Sequence, residues 1–134
     1  MARLGDAESA ESGQGMVEFA LALPVLLVVL IGVLQFGLMY HAQNVMTTAA
    51  QEGARLAAQQ GSDLASGQAR AQDVLLAGLG KTGASFDVTA TDTGKTVVVA
   101  ASGNYPLIFP WVGSRKVALT ATATIRKEGF QSGP

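Results

Sequence analysis

The residue with the clearest chemical role in this chain is Glu18, a single carboxylate at the start of a long apolar run. No Asp, Glu, Lys or Arg occurs from Phe19 to Met39. A charged carboxylate at the edge of such a run costs free energy unless it is paired, hydrated or protonated. At the start of a helix it also gains about 0.3 to 1 kcal/mol from the positive end of the helix dipole. The sequence therefore predicts that the carboxylate of Glu18 acts through its charge. It interacts either with the positive end of the helix dipole or with a cationic partner.

The other polar residues do not form a catalytic or metal-binding pattern. His41 is the only histidine and there is no cysteine, which excludes thiolate metal sites. The glycines form neither GxGxxG nor GxxxxGK[ST], so no phosphate-binding loop is indicated. The net charge of −1, without a basic stripe, argues against nucleic acid as a partner. We therefore expect no enzyme activity, no metal, no cofactor and no small-molecule substrate.

The apolar run predicts a transmembrane helix over about residues 18–40. About 20 apolar residues are needed to cross roughly 30 Å of hydrocarbon, and only a helix satisfies the backbone there. The candidate packing residues within the span are Pro24, Gly32, Gln35 and Gly37.

Each of these packing residues has a different physical consequence. Pro24 lacks an N–H, which predicts a kink or loosened turn, as either a tolerated membrane proline or a functional hinge. Gln35 either hydrogen-bonds to a neighbouring helix or meets water at the interface. Gly32 and Gly37 permit close helix approach, although their spacing is not that of GxxxG.

The residues beyond the membrane predict a small α+β domain. Helical character continues to Gln60, with Leu38, Val45, Ala49, Leu56 and Ala57 on approximately one face. A second, shorter helix is expected after Gly61, with Ser62, Asp63 or Ser66 as its N-cap. From Ala84 the apolar period changes to two, which predicts three antiparallel strands whose apolar face needs helical cover.

The predicted fold class is α+β, in which a long N-terminal transmembrane helix continues into solvent and is followed by a short second helix and a small three-stranded antiparallel sheet. The predicted organisation is a flexible leader at 1–13, the membrane helix and its extension at 14–60, the small α+β domain at 61–127 and a flexible tail at 128–134.

The N-terminal region differs from a secretory signal peptide, whose cleavage site follows the apolar segment. Here the apolar run is too long, and the residues after Met39 offer no small-x-small site. We therefore expect the helix to remain on the mature protein. The small residues lie before the run instead, at Gly13 and Gly15.

The string GQGMVEFALALP, which begins at Gly13, resembles the TadE-like family of the tight-adherence (Flp) pilus systems, as does AQEGAR at 50–55. Gly13 and Gln14 resemble the processing site of type IV pilin-like proteins, where a prepilin peptidase cuts after a glycine. Counted from Gln14, Glu18 is the fifth residue, as in those proteins. The resemblance is strong over residues 13–58 and loose beyond them.

The resemblance implies a pseudopilin or minor pilin of the bacterial inner (plasma) membrane, with a cytoplasmic N-terminus and an extracytoplasmic C-terminal domain. The implied partners are the prepilin peptidase, other pilins or pseudopilins, and pilus assembly components. A cut after Gly13 would give Gln14 a free amine that can pair with the carboxylate of Glu18. The resemblance implies that Glu18 and Phe19 then take part in assembly of the pilus. The alternative is an uncleaved, membrane-tethered binding or sensing domain.

A second apolar segment lies between the last two predicted strands, from Leu107 to Val112. Its aromatic residues, Phe109 and Trp111, either contact the membrane or a pilus component, or fill one end of the small core.

Overall fold

The computed structural model describes residues 4–59, 62–107 and 116–127. The elements in these ranges are helices α1 (Leu4–Ala58), α2 (Leu64–Leu79) and α3 (Lys81–Ala84), and strands β1 (Asp87–Asp92), β2 (Thr96–Pro106) and β3 (Lys116–Arg126). The chain divides into two compact units, residues 1–36 and residues 37–134. The predicted α+β class, with its long helix, second helix and three-stranded antiparallel sheet, is confirmed.

Helix α1 is 55 residues long and begins earlier than the sequence predicted. From Leu4 the leader is part of this helix, whereas the sequence predicted a helix from residue 14; the flexibility of the leader stays a prediction. Leader residues such as Leu4, Ala7 and Glu8 have high helix propensity. Extending an existing helix avoids the cost of nucleation, which explains why the leader joins α1.

The three strands form one antiparallel sheet in the order β1-β2-β3. Val99 of β2 pairs with Ala123 of β3, and Ala101 pairs with Val88 of β1. One face of the sheet is buried through Val97, Val99, Ala101, Ala121 and Ala123. The other face carries exposed threonines, so the predicted alternation of apolar and polar residues is present in the folded sheet.

Helices α1 and α2 cover the buried face of the sheet and touch each other through their backbones. A Cβ placed on Gly53 of α1 would lie 2.7 Å from the carbonyl oxygen of Gly67 in α2 and 3.4 Å from Cγ1 of Val99. Both distances show that α1, α2 and β2 meet at Gly53. The residues around this contact are small and buried, as Ala50, Ala54, Ala57 and Ala71 show.

The buried face of α1 includes part of the face that the sequence predicted, and its large residues are less buried than its alanines. Leu38 is 39% exposed and Leu56 is only half-buried. Ala49 and Ala57 of the predicted face are buried, and Ala42 and Met46, which the sequence did not single out, are fully buried beside them. The physical reason is local: at the Gly53–Gly67 contact only small side chains permit the backbones to approach, whereas Met46 is accommodated further from that contact.

A glutamine from each long helix contacts one edge of the sheet. The side chain of Gln43 in α1 donates to the carbonyl oxygen of Thr120 in β3 at 2.9 Å. The side chain of Gln68 in α2 donates to the carbonyl oxygen of Val88 in β1 at 3.4 Å. Edge strands present unpaired backbone groups, so these contacts cover one carbonyl on each edge.

Two aspartates fix the start of α2 and the first hairpin. Asp63 is the N-cap, because its Oδ1 accepts from the backbone N–H of Ser66 at 2.8 Å. The hydrogen bonds from Ser66 lower the pKa of Asp63. Asp92 accepts hydrogen bonds from the side chain of Lys127 and from the backbone N–H of Gly94. Both lower the pKa of Asp92, and the bond from Lys127 has the larger effect. Gly94 adopts φ 91°, which favours glycine.

Replacing Gly67 with alanine should destabilise the unit at 37–134. The new Cβ would lie 2.6 Å from the carbonyl oxygen of Gly53, and such overpacking costs about 1–3 kcal/mol, partly offset by about 1 kcal/mol of helix propensity. Thermal unfolding of the full chain in detergent, followed by circular dichroism, should show a lower midpoint. Gly37→Ala is the matched control, since its Cβ would meet nothing within 4 Å. Equal midpoints for the two variants would contradict the proposed close contact.

Replacing Asp92 with asparagine should reduce stability at neutral pH and flatten its dependence on acid. The pKa of Asp92 is lowered in the folded chain, so its contribution is complete above about pH 4, the ordinary carboxyl value. That contribution is lost as the pH falls through the folded value. Unfolding midpoints measured from pH 7 to pH 2 should therefore converge for the parent and Asp92→Asn. A constant offset over the whole range would contradict this account.

Candidate functional site

The predicted processing site lies on the exposed N-terminal part of α1. Gly13 and Gln14 are exposed, and a Cβ on Gly13 or Gly15 would meet nothing within 4 Å. A peptidase needs local unwinding to reach a helical peptide bond. Each glycine lowers helix stability by about 1 kcal/mol relative to alanine, so this turn opens more easily than the alanine- and leucine-rich turns that follow it.

Glu18 lies one helical turn after Gln14, and its side chain is exposed. Helical side chains tilt towards the N-terminus and meet residues four positions earlier. The carboxylate of Glu18 therefore lies over the turn that begins at Gln14. Helical geometry brings together the two residues that the sequence singled out for pairing.

The apolar run after Glu18 presents large side chains on all sides of α1. Every residue from 8 to 30 is exposed, with Leu21 71% exposed and Phe19 66% exposed. Exposed apolar surface of this extent needs lipid or other apolar helices to cover it. By length and composition, α1 is the one helix among the described residues that could span a membrane.

The structure places all four candidate packing residues within α1. Pro24 lies inside the helix and does not end it. A Cβ on Gly32 or Gly37 would meet nothing within 4 Å, so both positions are open to close approach. Gln35 is half-buried. The packing roles of these four residues stay predictions.

The two aromatic residues of the second apolar segment, Phe109 and Trp111, lie outside the described residues. The described chain stops at Leu107, just after β2, and resumes at Lys116 with β3. Whether they contact the membrane or a pilus component, or instead fill one end of the small core, stays a prediction.

His41 lies in a groove that sequence reasoning missed. The groove has a volume of about 390 Å³ and is lined by His41, Asn44, Val45, Thr48, Val74, Ala77 and Gly78. It exists because α2 packs against α1, and a Cβ on Gly78 would meet Cγ2 of Val45 at 2.9 Å. No sequence signal joins these two segments. Within residues 4–59, 62–107 and 116–127, no three His, Asp or Glu side chains form a possible metal site.

The chain was compared with known protein families. The family described as TadE-like protein matches residues 13–55, which confirms the resemblance found in the sequence. The match begins at Gly13 and includes Glu18 and the whole apolar run. It ends at Arg55, just beyond the helix contact at Gly53. Searches of curated proteins and of solved structures found no match.

Proposed function

We propose, from the TadE-like segment at residues 13–55, that this chain is a pseudopilin or minor pilin that takes part in assembling a tight-adherence type IV pilus or its secretion apparatus. The family match indicates a pilin-like protein associated with the Tad pilus, with an N-terminal membrane-type helix. The observation that carries the more specific proposal is the start of the match at Gly13, directly before the expected cut. The role is structural and requires no catalytic residue of this chain.

Processing by a prepilin peptidase is the first step of this function. The peptidase would cut between Gly13 and Gln14 and leave Gln14 as the new N-terminus. The exposure of this site and its two glycines support access by the enzyme. We propose that the N-terminus is cytoplasmic, that α1 crosses the inner membrane, and that residues 61–127 form the extracytoplasmic domain.

Assembly then depends on lateral contacts between apolar helices. Lipid-exposed side chains around α1 offer a packing surface, with Gly32 and Gly37 available for close approach. Within that surface an unpaired carboxylate is costly, and electrostatic attraction is stronger at low dielectric than in water. Pairing of Glu18 with the amine of Gln14 on an adjacent subunit would therefore fix the axial position of one helix against the next, with Phe19 beside the contact.

N-terminal processing provides the direct test. Mass spectrometry of the protein from its own host should show a mature chain that begins at Gln14. Gly13→Leu should leave the leader attached, because the small residue before the cut is lost, whereas Gly15→Ala should still be processed. An intact leader on the parent chain in cells that contain the peptidase would favour the uncleaved tether and overturn the proposal.

Replacing Glu18 with glutamine should impair assembly and leave membrane insertion intact. Loss of the ion pair should reduce pilus yield about tenfold or more, since 1.4 kcal/mol corresponds to a factor of ten in an equilibrium. Surface pili are counted after shearing, and insertion is measured by membrane fractionation. Glu11→Gln is the matched control, because Glu11 lies in the leader that processing removes. Equal pilus yields for Glu18→Gln and the parent would exclude Glu18 from assembly.

A further inference from the structure

We propose that Gln14 is a modification site. Once a cut after Gly13 exposes Gln14 as the N-terminus, its amine closes onto its own side-chain amide to form pyroglutamate, and the carboxylate of Glu18 slows this reaction. The inference rests on the processing step of the proposed function. It adds a chemical fate of the new N-terminus, and it involves only residues of the N-terminal unit at 1–36.

The reaction needs only the atoms of Gln14. The lone pair of the neutral α-amine attacks Cδ of the side-chain amide, so that a bond forms between the amine nitrogen and Cδ while the bond from Cδ to Nε2 breaks. One proton of the amine moves to Nε2, which leaves as ammonia, and the product is a five-membered lactam. No oxidant, reductant or second reactant takes part. Because both reacting groups belong to one residue, they are held close together throughout.

The N-terminal part of α1 leaves Gln14 free to react. Its side chain is exposed, and a Cβ placed on either neighbour, Gly13 or Gly15, would meet nothing within 4 Å. The first N–H groups of a helix have no acceptor within the helix, so the new amine is not held by the backbone. In the uncut chain the same nitrogen belongs to a peptide bond and is not a nucleophile. The cut therefore creates the reactive group at an open position.

The lactam also suits the start of a helix. Its ring closes on the backbone nitrogen as the ring of proline does, and proline is favoured at the first helical position. Cyclisation of Gln14 therefore leaves α1 intact and removes the positive charge at its N-terminus. A chain with pyroglutamate at this position has no cation to offer to the carboxylate of Glu18, either its own or that of a neighbouring subunit.

Glu18 is the charged side chain that acts on this amine. It is the only Asp, Glu, Lys or Arg between residues 14 and 39. It lies one helical turn after Gln14 in α1, and helical side chains tilt towards the N-terminus. A carboxylate close to an amine favours the protonated form, which has no lone pair to attack Cδ. Pairing with Glu18 therefore protects the amine, and a chain without this pair loses it.

The test exposes Gln14 without the prepilin peptidase. In the full-length chain, residues 8–13 are replaced by the recognition sequence of a site-specific protease that cuts directly before Gln14. The folded chain is cut in detergent and incubated, and mass spectrometry follows the fraction of the N-terminal peptide that has lost one ammonia. Gln14→Ala reports any ammonia lost from other residues. Glu18→Gln removes the charge, and Glu52→Gln is its matched control near the other end of α1.

At pH 7 the Glu18→Gln chain should form pyroglutamate several-fold faster than the parent and the Glu52→Gln control. The reason is that lowering the pKa of an amine by about one raises its neutral fraction about tenfold when the pH lies below that pKa. At about pH 10, above the ordinary α-amino pKa of about 8, the amine is neutral in every chain. The ratio of the rates should therefore fall to near one.

Absence of pyroglutamate from the Glu18→Gln chain would overturn the modification site. Equal rates for this chain and the parent at pH 7, or a slower rate for Glu18→Gln, would overturn the protective role of Glu18. A rate difference that persists at pH 10 would show an effect on the helix rather than on the amine, and would overturn that role as well. The added protease makes these results independent of host processing and pilus yield, whereas failure of the proposed function would appear as an intact leader in the host.

Discussion

The unit at 37–134 depends on the direct contact between the backbones of α1 and α2 at Gly53 and Gly67. Without a side chain at either position, the carbonyl oxygen of each glycine lies where the other's Cβ would stand. Both helices can then lie on the same face of a sheet that has only three strands. Any larger residue at this point would separate the helices and uncover the apolar face formed by Val97 and Val99. The close approach therefore allows so small a domain to bury a core.

Helix α1 meets two different environments along one continuous element. In the apolar run its side chains are large and exposed, as suits lipid or packing against other apolar helices. Beyond Tyr40 its inward residues become small, and alanines such as Ala42, Ala49 and Ala54 are completely buried. The change in side-chain size marks the transition from a surface for other molecules to a surface for the chain's own sheet.

This arrangement connects the family resemblance with the folded domain. The TadE-like match covers the predicted processing site, the apolar run and the contact at Gly53. It ends before α2, although Gly67 supplies the other half of that contact. The matched segment thus contains the membrane-type helix together with the helical surface on which the rest of the chain folds.

Several parts of the fold were predictable because they depend on local patterns. The apolar run identified the long helix, the apolar period of two identified the three strands, and Asp63 was among the expected caps. The helical leader was missed, because its charged composition suggested a solvated segment while α1 was already available to extend it. The predicted face of α1 was correct at Ala49 and Ala57 but included Leu38, which is exposed, and did not include Met46, which is fully buried.

The sequence by itself determined the membrane-type helix, the order of Gly13, Gln14 and Glu18, and the α+β class, because each depends on neighbouring residues and their periodicity. Only the tertiary structure decided that Gly53 meets Gly67, that Gln43 contacts Thr120, and that Gly78 lies against Val45. These contacts join segments that are distant in the chain. Their positions follow from how closely two helices approach above a sheet, and side-chain volume at the contact sets that distance.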